Sequence, residues 1–218
     1  MLRSFIAAAV LLLPATALAD TTLFLRFGSA WVTDPAFDLV AEADATPQLL
    51  LGAGWEASDA LTLELAYGLV ASSATAFEEA LESSLAVHQF QGAAVFRLPI
   101  SDSFAGRLRG AAAFEMATLH IDGAAATLED FATGLGVEGT LGLELRLPVS
   151  PSIDPWASRL AFLVEAGWSW HPLGFDFGGA TVDRDEDLDP APVAAGAIDV
   201  GSIDLSGPLL RFGAALSF

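Results

Sequence analysis

The feature that most limits how this chain can fold is a two-residue periodicity that recurs eight times. In "LTLELAYGLV" (61–70), Leu61, Leu63, Leu65, Tyr67 and Leu69 hold one set of alternate positions, and Thr62, Glu64, Ala66 and Gly68 hold the other. Successive side chains of a strand point to opposite faces, so the stretch reads as a strand with one apolar and one small or polar face. "GLGVEGTLGLELRLP" (134–148) repeats the pattern, with Leu135, Val137, Leu141, Leu143, Leu145 and Leu147 against Gly136, Glu138, Thr140, Gly142, Glu144 and Arg146. Comparable segments lie at roughly 21–33, 47–57, 61–72, 86–98, 104–120, 131–147, 159–172 and 204–218. Each is long enough to cross a bilayer as a tilted strand, which takes ~9–11 residues. After residue 19, Gly, Pro or a charge interrupts every apolar run before it reaches the length of a spanning helix.

The connections alternate as well. Short turns at 57–60 and 99–103 and a Pro-rich one at 148–158 alternate with longer stretches at 34–46, 73–85, 121–130 and 173–203. This predicts an all-β, eight-stranded antiparallel up-and-down transmembrane β-barrel with both termini at the short-turn end. The polar face separates a membrane barrel from a soluble one. It consists mostly of Gly, Ala and Thr with sparse Arg and Glu, which suits the narrow interior of an eight-stranded barrel. The apolar face is then the outside, and Trp31, Trp55, Tyr67, Trp168 and Trp170 are expected as membrane-interface aromatics.

Charge follows the same division. The chain is 53% hydrophobic yet carries a net charge of −19, with no Lys and no Cys. The absence of Cys leaves no disulfide framework, and the acidic balance sets nucleic acid aside as a partner. Every Asp is expected in a loop, a turn, the chain start or the outer end of strand eight, whereas mid-strand carboxylates are all Glu. Arg26, Glu56, Glu64, Arg97, Arg107, Arg109, Glu115, Glu138, Glu144, Arg146, Glu165 and Arg211 share the inner face and are expected to form a lumen network. Lone buried charges are costly and pairing offsets the cost, so Glu64 is expected to contact Arg97, and Glu144 to contact Arg107 or Arg109.

The two ends of the sequence carry signals. Residues 1–19 have an early Arg3, an apolar run from Phe5 to Leu13 and an Ala17-Leu18-Ala19 site, the layout of a signal peptide, leaving 20–218 as the barrel domain. The last eight residues, Arg211 to Phe218, place Arg211, Gly213, Leu216 and Phe218 at the polar, glycine, apolar and aromatic positions of the C-terminal signal of bacterial outer-membrane proteins. With these motifs the chain resembles the small outer-membrane barrels of the OmpA-transmembrane-domain, OmpX and OmpW type over its whole mature length. The resemblance implies a bacterial outer-membrane location, periplasmic termini and extracellular long acidic loops. It also implies contact with outer-membrane lipid and lipopolysaccharide, and recognition of the last strand by the barrel-assembly machinery.

Two constellations invite a chemical reading. Asp183, Asp185 and Asp187 are spaced like the start of a calcium loop, but Leu188 stands where that loop has Gly and Ala194 where it has Glu. The expectation is a solvated acidic tip that binds divalent cations loosely at most, with no dedicated metal site. Glu165, Ser169 and His171 share one face of strand seven. However, Ser and His two residues apart on a strand lie ~7 Å apart, too far for a nucleophile–base hydrogen bond. They are expected to form a polar rim, and the chain is expected to be neither an enzyme nor a cofactor binder. Two functions stay open: a structural or surface-interaction barrel with a plugged lumen, and a narrow channel or OmpW-like path for small molecules, with Ile203, Leu205 and Leu209 lining an upper pocket.

Overall fold

The structure is a computed structural model and describes residues 21–76, 81–123, 126–149, 159–178, 181–184 and 201–218. The expectations for the signal peptide and for Asp185 and Asp187 lie outside the described residues. Among the described residues eleven strands follow in chain order: β1 (Thr21–Trp31), β2 (Ala45–Ser58), β3 (Leu61–Ala76), β4 (Leu81–Pro99), β5 (Phe104–Gly123), β6 (Ala126–Pro148), β7 (Arg159–Trp170), β8 (Phe175–Asp176), β9 (Thr181–Arg184), β10 (Ser202–Ile203) and β11 (Gly207–Ser217). Strands β1 to β7 and β11 pair antiparallel in sequence order. The β11–β1 and β5–β6 ladders complete the ring, so these eight strands form a closed barrel.

The register fixes the shape of the ring. From Thr21 the pairing runs through Trp55, Leu63, Ala94, Gly110, Gly139, Trp168 and Pro208. Pro208 lies one step beyond Leu209, which faces Ala30, so the path returns to β1 at Trp31, ten residues above its start. A shear of ten over eight strands tilts the strands by ~40° from the axis. Thr22 faces Ser217, and the Phe218 amide donates to the Thr21 carbonyl at 3.0 Å, which sets the start of β1 and the end of β11 together at the short-turn side. Ser58 and Ser101 tighten two turns at that side by accepting the Leu61 and Phe104 amides, each at 3.2 Å.

At the other side the strands run further than the sequence predicts. The stretches 73–85 and 121–130 are largely strand, since pairing continues to Ala76–Leu81 and Gly123–Ala126. Asp122, Asp130, Asp176 and Asp183 therefore sit in strands, contrary to the expected confinement of Asp outside them. Asp122 is exposed and accepts from Thr127 Oγ1 at 2.7 Å, so water and a cross-strand hydroxyl offset its poor strand propensity.

The stretch 173–203 does not simply lengthen the wall. β8 pairs with β10 as a separate two-stranded sheet, and β9 adds to the upper part of β6. Phe175, Phe177, Ile203 and Leu205 turn inward and pack with Val32, Phe37 and Val40 on Val70, Leu85, Val87, Ala117, Leu119 and Ala132. Phe37 comes from a single 3-10 turn, Pro35–Leu39, whose Asp34 cap accepts the Ala36 amide at 3.0 Å. The upper lumen is thus filled by an apolar cluster, not by the polar lining that alternation suggested.

Lower down, side-chain parity holds on every wall strand. Leu23, Leu25, Phe27, Leu49, Leu51, Leu63 and Leu65 are exposed on the outside. Inside, Gly52 leaves space for the Phe24 ring. A Cβ there would stand 2.5 Å from Phe24 Cζ and 2.3 Å from the Leu65 carbonyl oxygen. Gly52→Val is therefore expected to cost at least ~1–3 kcal/mol through overpacking. Urea unfolding in detergent micelles reads this as a lower midpoint, and an unchanged midpoint would show that the wall can yield.

Candidate functional site

The lumen below the apolar cluster is built from the inward positions of all eight wall strands. Arg26 on β1 donates through Nη1 and Nη2 to Glu64 Oε2 and Oε1 on β3, at 2.9 and 2.6 Å. Arg107 on β5 donates from Nη2 to Glu64 Oε1 at 2.9 Å, and its Nε lies 3.4 Å from Glu165 Oε1 on β7. Glu165 Oε2 in turn lies 3.6 Å from Arg26 Nε. Arg26, Glu64, Arg107 and Glu165 close a ring of alternating charge drawn from alternate strands. Inward side chains of alternate strands stack as layers because neighbouring strands point inward at staggered heights.

A second ring lies above the first. Arg211 on β11 donates from Nε to Gln48 Oε1 on β2 at 2.8 Å, and Gln48 Nε2 donates to Gln89 Oε1 on β4 at 2.9 Å. Gln91 Nε2 reaches the same Gln89 oxygen at 3.3 Å, and Arg109 Nη2 donates to Gln91 Oε1 at 2.8 Å. Glu138 on β6 closes the circuit by accepting from both Arg109 and Arg211. Arg109 Nε also donates to Glu64 Oε2 at 3.1 Å and so joins the two rings.

A third group sits at the short-turn end. Glu144 accepts from Arg107 Nη1 at 2.6 Å and from Arg146, while Arg97 lies 3.4 Å from Glu56 and 3.5 Å from Glu144. Glu56 and Arg146 stand 4.0 Å apart and are the most solvent-accessible members.

All twelve charged residues expected in the lumen lie there, six Arg with six Glu, and the formal charge of the set is zero. Glu144 meets Arg107 as expected, but Glu64 does not meet Arg97. Across the β3–β4 ladder Glu64 faces Ala93, four residues before Arg97, and Arg97 lies at the level of Glu56. Glu64 instead serves Arg26, Arg107 and Arg109, all from strands that are not its neighbours. Linear position along a strand does not reveal such partners, because they depend on shear and on the reach of a guanidinium across the axis.

Sequence reasoning also missed the uncharged members. Gln48, Gln89 and Gln91 have the right parity, which is the signal that identifies them. Phe24, Leu50 and Leu163 have it too, and they form a lower apolar cluster with Ala161 and Ala215. The Arg26 guanidinium stands 4.1 Å above the Phe24 ring, where a cation gains from the π face.

The strand-seven set divides. His171 Nε2 lies 3.2 Å from Glu115 Oε1 on β5, and Glu165 belongs to the first ring. Ser169 Oγ donates to the Gly207 carbonyl at 3.3 Å, so its proton is directed away from His171. Ile203 and Leu205, expected to line an upper pocket, are packed into the apolar cluster, and Leu209 is buried as well. Outside the wall, Trp31, Trp168 and Trp170 stand near the upper ends of β1 and β7, Trp55 near the lower end of β2, and Tyr67 donates to or accepts from His88 Nδ1 at 2.5 Å. At the last strand Arg211 and Gly213 face the lumen, where a Cβ on Gly213 would meet Arg26 Cγ at 2.8 Å, while Leu216 faces Leu23. Among the described residues no cluster of three or more His, Cys, Asp or Glu is arranged to hold a metal ion.

No protein-family model matches the chain, and no curated protein matches it. Among solved structures it is similar to the Neisserial surface protein A, with 12% identity, 92% of this chain and 98% of that one covered, and a TM-score of 0.55. It also aligns with Ail, the attachment invasion locus protein of Yersinia pestis, solved with the heparin analogue sucrose octasulfate, at 11% identity, 91% and 97% coverage and a TM-score of 0.49. The N-terminal β-barrel domain of Pseudomonas aeruginosa OprF aligns at 10% identity, 92% and 98% coverage and a TM-score of 0.42. The likeness to the first of these shows the fold, a small antiparallel barrel over nearly the whole length of both chains.

Proposed function

We propose that this protein is a bacterial outer-membrane barrel with a structural or surface-interaction role, its lumen closed and its acidic upper end displayed outside the cell. The apolar outer belt supports the membrane location. Outward residues of β1 from Leu23 to Trp31 span ~20 Å at the strand tilt, close to the ~25 Å apolar band of such barrels. Soluble proteins rarely expose so large a continuous apolar surface. In this setting lipid and lipopolysaccharide surround the wall, Trp31, Trp55, Trp168 and Trp170 anchor its two rims, and the Arg211–Phe218 segment is the mark read by the assembly machinery. Tyr67, expected at a rim, lies within the belt, because it pairs with Leu51 in the middle of β3 instead of at a strand end. Divalent cations bridge the acidic loops to neighbouring anionic headgroups only loosely.

The observation that carries the closed-lumen reading is the pair of stacked hydrogen-bonded rings below an apolar cluster. A guanidinium held by two or three carboxylates does not swing aside for a passing solute without leaving a buried charge unpaired. Single-channel recording of the refolded mature protein in planar bilayers is expected to show no steady open level. A stable ohmic conductance would overturn the plug and favour transport instead. We also propose that the barrel does no covalent chemistry, since Ser169 lacks a base. Acyl release or transfer from lipopolysaccharide or phospholipid that disappears with Ser169→Ala or His171→Ala would overturn this.

A further inference from the structure

Above the Gln48–Val70 pair, strands β2 and β3 part. Their ladder ends there, whereas β2 stays paired to β1 up to Ala45 and β3 stays paired to β4 up to Ala76. The next residue of β2 is Pro47, which has no amide hydrogen to continue the ladder. A cleft of about 480 Å³ opens in the gap. Ala45, Pro47, Ala71 and Ser73 line it from outward positions, and Thr46 and Ser72 line it from inward ones, so the cleft passes through the thickness of the wall. Above it the chain crosses over, since the Glu42 amide donates to the Ser73 carbonyl at 3.3 Å and Thr75 Oγ1 donates to Glu42 Oε1 at 3.0 Å. The mouth therefore faces sideways. Trp31 faces Ala45 across the β1–β2 ladder, which sets the mouth at the level of the upper aromatic rim.

Two buried hydroxyls stand in this gap without a hydrogen-bond partner, Thr46 Oγ1 and Ser72 Oγ. Two residues beyond Gln48 and Val70, they hold opposite positions of the interrupted ladder. Thr46 is 1% exposed and also walls an inner cavity of about 20 Å³, between the glutamine-containing ring and the apolar cluster. That cavity has room for one water molecule and offers it Glu115 Oε2 and His171 Nδ1, both buried without a partner. Thr46 thus joins the outer cleft to a polar site in the lumen. The inner cavity leads no further, with the hydrogen-bonded rings below it and the apolar cluster above. The charge at the cleft is one-sided. Glu42 lines its edge, the chain has no Lys, and its Arg after residue 19 are the six of the lumen, Arg159 in β7 and Arg184 in β9. None of these Arg lines the cleft, so an anion there meets no counter-charge.

We propose that the split between β2 and β3 is a lateral port, which binds water and small uncharged polar solutes at Thr46 and Ser72 and passes single water molecules to the inner cavity. Ala and Pro walls accept a solute's carbon skeleton, and the facing hydroxyls can both donate to and accept from its polar group. Phosphate and sulfate are refused, because Glu42 repels them and no cation holds them. The position of the port at a membrane interface rests on the outer-membrane reading, whereas the cleft itself does not.

The chain has no Cys, so single introduced thiols report access without background. Thr46→Cys and Ser72→Cys are prepared in the mature protein in lipid nanodiscs. Each is treated with neutral methyl methanethiosulfonate and with its anionic sulfonatoethyl analogue. Ser73→Cys, exposed on the outside, and Ala117→Cys, buried in the apolar cluster, bracket the rates. Both cleft thiols are expected to react with the neutral reagent within about tenfold of Ser73→Cys, and at least about a hundredfold faster than Ala117→Cys, which reacts only through local unfolding. The anionic reagent should lose about tenfold at Ser72→Cys relative to Ser73→Cys. Cleft thiols as slow as Ala117→Cys would overturn the port. So would reactivity in micelles that vanishes in nanodiscs, because lipid then fills the cleft, and an anionic reagent as fast as the neutral one would overturn the selectivity. Should both variants fail to fold, Overhauser transfer from water to the Thr46 and Ser72 amides decides in the wild type, and its absence refutes the port. Failure of the wild type to enter nanodiscs would count against the outer-membrane reading alone, and thiol rates in micelles then decide the port.

Discussion

Glu64→Ala is expected to destabilise the barrel by ~3–5 kcal/mol, the cost of removing one partner from a buried ion pair. The effect is large because Glu64 accepts from three guanidiniums at once, those of Arg26, Arg107 and Arg109. Alanine leaves these cations with Glu165 at the longer distances of 3.4 and 3.6 Å, with Glu144, and with the already shared Glu138. The same substitution opens space on the axis and makes it positive, but the apolar cluster above still fills the upper lumen, so no steady current is expected from this variant either. Urea unfolding in micelles measures the first effect and planar-bilayer recording the second. Glu56→Ala serves as the control, because Glu56 lies at the accessible lower end and exposed pairs contribute ~0–1 kcal/mol. Equal losses for Glu56→Ala and Glu64→Ala would mean that the rings are not the structural centre of the lumen.

The second large effect concerns the outside of the same strand. Leu65 is 60% exposed, next in sequence to Glu64 and on the opposite face. In a bilayer, Leu65→Arg is expected to cost ~2–4 kcal/mol, the midplane value for a cation on the lipid face of a barrel. In water the same change replaces an exposed apolar side chain by a charged one and costs little. The variant should therefore refold into vesicles with lower stability and lower yield than the wild type, measured by urea titration of the inserted form. A Leu65→Arg protein that is stable, monomeric and soluble without detergent would overturn the membrane reading altogether. Glu64 and Leu65 form an informative pair, since adjacent residues are expected to fail for opposite reasons.

The reach of the sequence is clearest at Glu64. Its parity, opposite to Leu63 and Leu65, already places it on the inner face, because side chains alternate strictly along a strand and one face here is almost wholly aliphatic. The same argument holds for all twelve charged lumen residues, for the outer leucines and for the strand count. These are local properties, set by two-residue periodicity and by turn residues such as Ser58 and Ser101. The partners of Glu64 are not local. They depend on a shear of ten residues that accumulates around the ring, and on Arg side chains long enough to reach past a neighbouring strand. The expected Arg97 contact failed because it compared distances from the turn without that offset.

The upper lumen shows the same division. Alternation predicts a strand that ends where β7 ends, and parity carries through Leu205 and Ile203 to mark them as inward. Nothing local states that Phe37 from one connection and Phe175 and Phe177 from another meet in the upper lumen, or that His171 finds Glu115 on another strand. Local periodicity determined which residues of this protein face inward, because each strand sets its own two faces. Which inward residues touch was decided only by tertiary structure, because closing the barrel brings together side chains from strands that share no hydrogen bond.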